Sequence, residues 1–170
     1  MAIQPKAKVV TPDFVSVLDS PASEASRPKP TPQGTFVCML RGLPRYDKST
    51  RKGTDFVEFT LQTYEACEDV DQEALKEFLT KSSGEVIGLK DSRPLRLTFY
   101  LTEDAKYRLK EFLEDLGIPL ENADRTSRSL RECIEDTPGK MVLAHVKHTP
   151  SQDGETMYAN IDKTAKYEVA

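Results

Sequence analysis

From Thr35 onward, apolar residues recur at every second position in five separate runs, and the longest helical pattern falls between the third run and the fourth. That order restricts the fold more than any single motif in the chain. The first run, Thr35 to Leu40, is apolar on both faces and predicts a strand covered on both sides. Gly42 and Pro44 loosen its end, and Arg45 to Gly53 reads as a loop with Gly53 as its turn residue. Thr54 to Tyr64 then alternates strictly, which assigns Val57, Phe59 and Leu61 to the core and Phe56, Glu58, Thr60 and Gln62 to solvent. Pro94 to Leu101 is the third strand, with Leu95, Leu97, Phe99 and Leu101 inward and Arg96, Thr98 and Tyr100 outward.

Thr102 opens the best helical segment. Its hydroxyl can cap free N–H groups, Glu103 and Asp104 suit the positive end of the helix dipole, and Ala105, Leu109, Phe112, Leu113 and Leu116 form one stripe. Gly117 and Pro119 stop it. A shorter helix is expected from Ser127 to Asp136, with Leu130, Cys133 and Ile134 buried. Met141 to Lys147 is the fourth strand, Asp153-Gly154 signals a hairpin, and Met157 to Tyr167 is the fifth. Two lesser elements precede the third strand: an acidic helix within Glu65 to Lys81, and a short strand-like piece at Glu85 to Leu89. Five strands, with a hairpin at each end and a helix between the third and fourth, is the order of an OB-fold, a mainly β, five-stranded Greek-key barrel. The expected domain covers residues 34–168. Residues 1–33 read as a flexible Pro/Ser-rich arm, because Pro28, Pro30 and Pro32 at alternate positions exclude helix and most sheet. Within the arm, Asp13 to Leu18 is an apolar island, which reads as a loosely docked tail, a partner-binding peptide or an early edge strand.

Several functional classes are excluded by what the chain lacks. No run approaches the roughly 18 apolar residues of a membrane helix, and no secretory signal opens the chain, so a cytoplasmic protein is expected. Cys38, Cys67 and Cys133 are odd in number and widely spaced, and free thiols are expected. His145 and His148 lie three apart in a strand, hence on opposite faces, and no CxxC accompanies them, so no metal site is expected. No nucleophile motif, P-loop or cofactor fingerprint is legible, which argues for a protein without catalysis or cofactor.

The charge pattern points elsewhere. Between Arg41 and Phe56 lie five cations, Arg41, Arg45, Lys48, Arg51 and Lys52, against Asp47 and Asp55, in a chain whose formal charge is −4. Rings flank them: Phe36 and Tyr46, then Phe56, Phe59 and Tyr64. Cations interleaved with aromatics suit single-stranded nucleic acid, whose phosphates release counterions on binding and whose bases stack without regard to sequence. In the expected fold, Arg45 to Gly53 joins strands one and two, Thr149 to Thr156 joins strands four and five, and these loops flank the ligand groove. The candidate phosphate contacts are therefore Arg41, Arg45, Lys48, Arg51, Lys52 and Lys147. The candidate stacking rings are Tyr46, Phe56, Tyr100 and Tyr158, while Phe36, Phe59 and Phe99 are assigned to the core. The rival reading is a protein-interaction or virion-structural module on the same barrel, whose groove can hold a peptide as readily as an oligonucleotide.

A set of short motifs adds to this. Pro32 and Gly34 lead into the first strand, Thr50-Arg51-Lys52-Gly53 turns before the second, the long helix ends Leu116-Gly117-Ile118-Pro119, and Gly139-Lys140 precedes the fourth strand and the closing hairpin. In this layout the chain resembles, from Pro32 to Tyr167, the OB-fold single-stranded DNA-binding proteins encoded by many bacteriophages. The resemblance implies a protein that coats single-stranded DNA during phage replication or recombination in the host cytoplasm, with replication or recombination proteins as partners. It departs in one place: the acidic partner-binding tail common in the bacterial proteins is replaced by Lys-Tyr-Glu-Val-Ala. DNA versus RNA, strand polarity and oligomeric state stay open at this level.

Overall fold

A computed structural model describes residues 29–168, with Leu18 and Ala22 as isolated positions before them. Most of the expected arm, including the apolar run that begins at Asp13, lies outside the described residues. Its last residues are seated on the domain: Thr31 and Pro32 are buried, the Thr31 carbonyl lies 2.7 Å from His148 Nε2, and Gln33 Oε1 accepts the His148 N–H at 3.0 Å.

Among the described residues, six strands make one open antiparallel sheet accompanied by three α-helices. The strands are β1 (Gly34–Leu40), β2 (Arg45–Lys48), β3 (Asp55–Ala66), β4 (Leu95–Tyr100), β5 (Met141–Pro150) and β6 (Met157–Lys166). The helices are α1 (Gln72–Leu79), α2 (Lys106–Asp115) and α3 (Leu130–Glu135). β3 is the longest strand and organises half the sheet. β4 holds one of its edges from Phe56 to Leu61, so β1 and β2 must share the other, with Leu40 opposite Leu61 and Arg45 opposite Glu58. They follow one line along β3, broken at Arg41–Pro44. β5 pairs with the far edge of β1 and β6 pairs with β5. The outer strands β4 and β6 run parallel and come within 8 Å of each other, and no ladder joins them among the described residues.

One correction follows for the strand count. Arg45 to Lys48, read from sequence as loop, is the extra strand β2. Gly42 adopts φ +66° and Pro44 interrupts the ladder, but the chain resumes pairing with β3 immediately afterwards, shifted from the register of β1. The true turn is only Ser49 to Thr54. Four smaller boundaries also shift. β3 runs on to Ala66, so α1 begins at Gln72, capped by Asp71, rather than near Glu65. Glu85 to Leu89 forms only the single bridge Thr80–Val86 before a 3₁₀ turn at Leu89–Asp91. Leu101, expected inward, is exposed because β4 ends at Tyr100. Thr102 caps a turn ahead of α2 rather than the helix itself, its hydroxyl accepting the Ala105 N–H at 3.2 Å.

The core is the inner face of the sheet covered by α2 and α3. Phe36, Cys38 and Leu40 of β1, Val57, Phe59 and Leu61 of β3, and Val142, Ala144 and Val146 of β5 meet Leu109, Phe112 and Leu113 of α2 and Cys133 and Ile134 of α3. Phe59, Phe99 and Phe112 form a ring cluster with centroids 5.0 to 5.9 Å apart, tying β3, β4 and α2 together. Burying each such ring is worth about 1.5–3 kcal/mol. α2 ends as its sequence suggests: Gly117 takes φ +76°, its N–H reaches the Glu114 carbonyl, and the Ile118 N–H reaches that of Leu113. At the start of β1, Gly34 (φ +128°) is required, since a Cβ there would stand 2.6 Å from Val70 Cγ2.

Gln62, assigned to solvent by alternation, is 2% exposed. The segment before β4 covers it: Gln62 Nε2 donates to the carbonyls of Leu89 and Ser92 at 2.9 and 3.0 Å, while the Thr63 hydroxyl lies 3.2 Å from that of Ser92. Side chains here satisfy main-chain groups that a longer β4 would otherwise pair. Cys38, Cys67 and Cys133 are free thiols, and burial pushes that of Cys38 up to about 12.

Candidate nucleic-acid interface

Register decides which side chains share a surface, because residues opposite each other in a ladder project to the same face. Across β2, β3 and β4 the rows are Asp47, Phe56 and Tyr100, then Arg45, Glu58 and Thr98, with Arg96 opposite Thr60. These rows lie on the outer face, since the intervening Val57 and Phe59 are buried beneath them. Arg41 joins the same face by donating from Nη1 to Gln62 Oε1 at 3.0 Å. Three arginines and two rings therefore occupy one surface drawn from the break after β1 and from β2, β3 and β4.

The rings are held, not loose. Phe56 packs edge-on to Tyr100, with centroids 6.4 Å apart and planes at 76°, and the Arg45 guanidinium carbon lies 5.4 Å from the Phe56 centroid. Phe56 is half-buried, whereas Tyr100 is 50% exposed and so keeps ring surface to offer a base. The cations are partly engaged. Arg45 donates to Asp47 at 2.6 Å and to Glu58 at 3.4 Å, and Arg96 donates to the same Glu58 oxygen at 2.9 Å. Lys48 pairs with Asp55 at 2.8 Å, and that hydrogen bond raises its pKa above the ordinary lysine value. Arg51 and Lys52 stand exposed on the turn, with no ion pair among the described residues.

The predicted site residues thus divide into three groups. Arg41, Arg45, Phe56 and Tyr100 come together on the outer face, and Arg51 and Lys52 extend it at the hairpin tip. Tyr46 and Lys48 are the second group: opposite Val57 and Asp55, they project to the other side of the hairpin, so Tyr46, 53% exposed, does not lie in line with Phe56. Lys147 and Tyr158 are the third group. Val146 pairs with Gly34 at the start of β1, while Arg45 lies beyond its end, so the length of β1 separates the two along the sheet. The structure does not bring them to the Phe56–Tyr100 surface.

Two residues of this surface were missing from the sequence-based set, Arg96 and Glu58. Alternation already places Arg96 on the same side of its strand as Tyr100, and that signal could have found it. The role of Glu58 depends on the register that sets it between two guanidiniums, which alternation alone does not supply. Among the described residues no group of His, Cys, Asp or Glu is clustered as metal ligands, and no helix is long and apolar enough to cross a membrane. Comparison with known proteins adds no assignment: no family model matches the chain, and no curated protein sequence matches it.

Proposed function

We propose that the outer face of β2, β3 and β4 binds single-stranded nucleic acid, and that the chain is a non-catalytic coating protein of the bacteriophage single-stranded DNA-binding type. The observation that carries this reading is that Phe56 and Tyr100 share one face with Arg41, Arg45 and Arg96. Phosphates would lie against the guanidiniums and against Arg51 and Lys52 at the tip, while bases stack on the exposed ring of Tyr100 and the edge of Phe56. Neither contact reads sequence, so binding is broad. Net acidity of the chain is no obstacle, since a ligand responds to the field over a patch.

The same proposal extends to the fold. β1 and β2 share one edge of β3, so they count as a single interrupted strand, and the six strands reduce to five. α2 lies between the third and fourth of these, and the parallel approach of β4 and β6 is the near-closure of a small barrel. This supports an OB-fold, in which the face described above is the ligand face. One observation favours a second reading, a protein-binding face: Arg45 and Arg96 are already ion-paired.

A fluorescence titration with labelled poly-dT separates the two. Binding that weakens more than tenfold between about 50 and 200 mM salt supports the nucleic-acid face. No binding at 50 mM salt overturns it and leaves the protein-binding reading. A parallel titration with poly-rU tells DNA from RNA.

A further inference from the structure

The carboxylate at the centre of the proposed face is out of place for a surface meant to hold phosphates. Glu58 has a side chain only 14% exposed, and its Oε1 accepts from Arg96 Nη1 at 2.9 Å and Arg45 Nη2 at 3.4 Å. Its other oxygen lies 3.4 Å from the Thr98 hydroxyl. The two guanidiniums come from β2 and β4, on opposite sides of β3, so Glu58 is the group that draws them to one point. An anionic oxygen between two arginines, with a hydroxyl donor beside it, is the arrangement a phosphate group takes at such a site.

We propose that Glu58 occupies, in the free protein, the phosphate subsite between Arg45 and Arg96, and competes there with a backbone phosphate of the bound strand. This inference rests on the nucleic-acid reading of the face and names the residue that sets its affinity. The carboxylate has two opposed effects. It preorganises both arginines, which favours binding by lowering the ordering cost. It also places a negative charge where a phosphate must approach, which opposes binding and keeps the two guanidiniums from releasing the ligand's counterions in full. Repulsion dominates, because without the carboxylate Arg45 keeps its side-chain anchors and Arg96 keeps its place in the ladder. Arg45 remains bonded to Asp47 at 2.6 Å and stacked on Phe56, and Arg96 stays on a strand whose ladder with β3 fixes its origin. The result is a face tuned below its maximal affinity, suited to a protein that must be displaced from the strand it covers.

The test is Glu58→Gln, which keeps shape and hydrogen bonding but removes the charge. Poly-dT binding at about 50 mM salt should tighten by about three- to tenfold, and the slope of log affinity against log salt should steepen by about 0.7 for each phosphate newly neutralised. Thermal melting checks that the variant folds; if it does not, Glu58→Thr, a good strand former on an outer face, carries the same test. A role confined to holding the sheet together would leave the salt slope unchanged. If wild type binds and the folded variant binds equally or more weakly, the competitor role of Glu58 is wrong while the face stands. If neither protein binds, the nucleic-acid reading itself fails.

Discussion

Two hairpin turns in this molecule, Ser49–Thr54 and Ser151–Thr156, share one hydrogen-bond skeleton and carry opposite charge. In each, the serine N–H donates to the threonine carbonyl, at 2.8 and 2.7 Å, and the serine hydroxyl accepts the threonine N–H, at 3.1 and 3.2 Å. In each, a glycine with positive φ, Gly53 at 63° and Gly154 at 74°, returns its N–H to the serine carbonyl at 2.9 Å. Yet the first holds Arg51 and Lys52, and the second Asp153 and Glu155. The turns also project from opposite ends of β1. The end residues Ser and Thr and a positive-φ glycine, fifth in the first turn and fourth in the second, are common to both, while in the second Asp153 also takes part, accepting from the Ser151 hydroxyl and, at 3.0 Å, from the Glu155 N–H. The difference makes the two turns electrically opposite, and under the proposed function it would draw an anionic strand toward the end where Phe56 and Tyr100 lie.

The contrast is broken or sharpened most by the rings. Phe56→Ala should lower poly-dT affinity about tenfold, in the range of a lost base stack, while Tyr158→Ala at the other end stays within about twofold. Equal losses would mean that a bound strand spans both ends. The tips come next. Replacing Arg51 and Lys52 together by Ala should reduce the salt slope by about 1.4, or 0.7 per phosphate, and replacing Asp153 by Asn with Glu155 by Gln should leave the slope unchanged. A smaller effect tests the shared skeleton: Ser49→Ala should cost about 1 kcal/mol in urea unfolding for the lost side-chain hydrogen bond, and Ser151→Ala more, because its hydroxyl also donates to Asp153. Equal costs would show that the Ser151–Asp153 bond adds nothing to the second turn.

Much of this arrangement was legible in the chain, and the reasons are specific. Strict alternation located Val57, Phe59 and Leu61 in the core, and Gly117 with Pro119 marked the end of α2, because burial and positive φ act on single residues within one element. Both Gly53 and Gly154 were readable as turn residues for the same reason. What failed was anything that depends on pairing between elements. β2 was hidden because Gly42, Pro44 and a run of charges look like loop until β3 supplies partners. Tyr46 was placed with Phe56 because loops have no faces, and only the register opposite Val57 puts it on the other side. Gln62 was read as exposed because its cover, the turn at Leu89–Asp91, lies in a segment with no periodicity. The grouping of Arg45, Glu58 and Arg96 is likewise a product of three strands, and none of them signals it alone.

The smallest expected difference between the two ends is their response to acid, and its sign follows from one pair. On the β5–β6 side, Asp162 Oδ1 lies 2.6 Å from His145 Nδ1, beside the irregularity where Asp162 is the extra residue between Ile161 and Lys163. Burial pushes the Asp162 carboxyl up, but the hydrogen bond and charge of His145, with the Asp162 backbone N–H and the charge of Lys163, outweigh it and hold the group below its ordinary value. A carboxylate with a depressed pKa in the folded state contributes stability above its unfolded value, near 3.9, and loses it as pH falls through the lower folded value. Asp162→Asn should therefore melt below wild type at pH 7, and the gap should close as pH drops under about 3.9. The carboxylate side chain is 38% exposed, so solvent screening keeps this effect below that of the turn serines. Thermal melts of both proteins from pH 7 to 2.5 read it directly. A gap that persists to the lowest pH would mean that Asp162 acts through the geometry of the bulge and not through its charge, and the acidic end would then differ from the basic one in backbone shape as well as in sign.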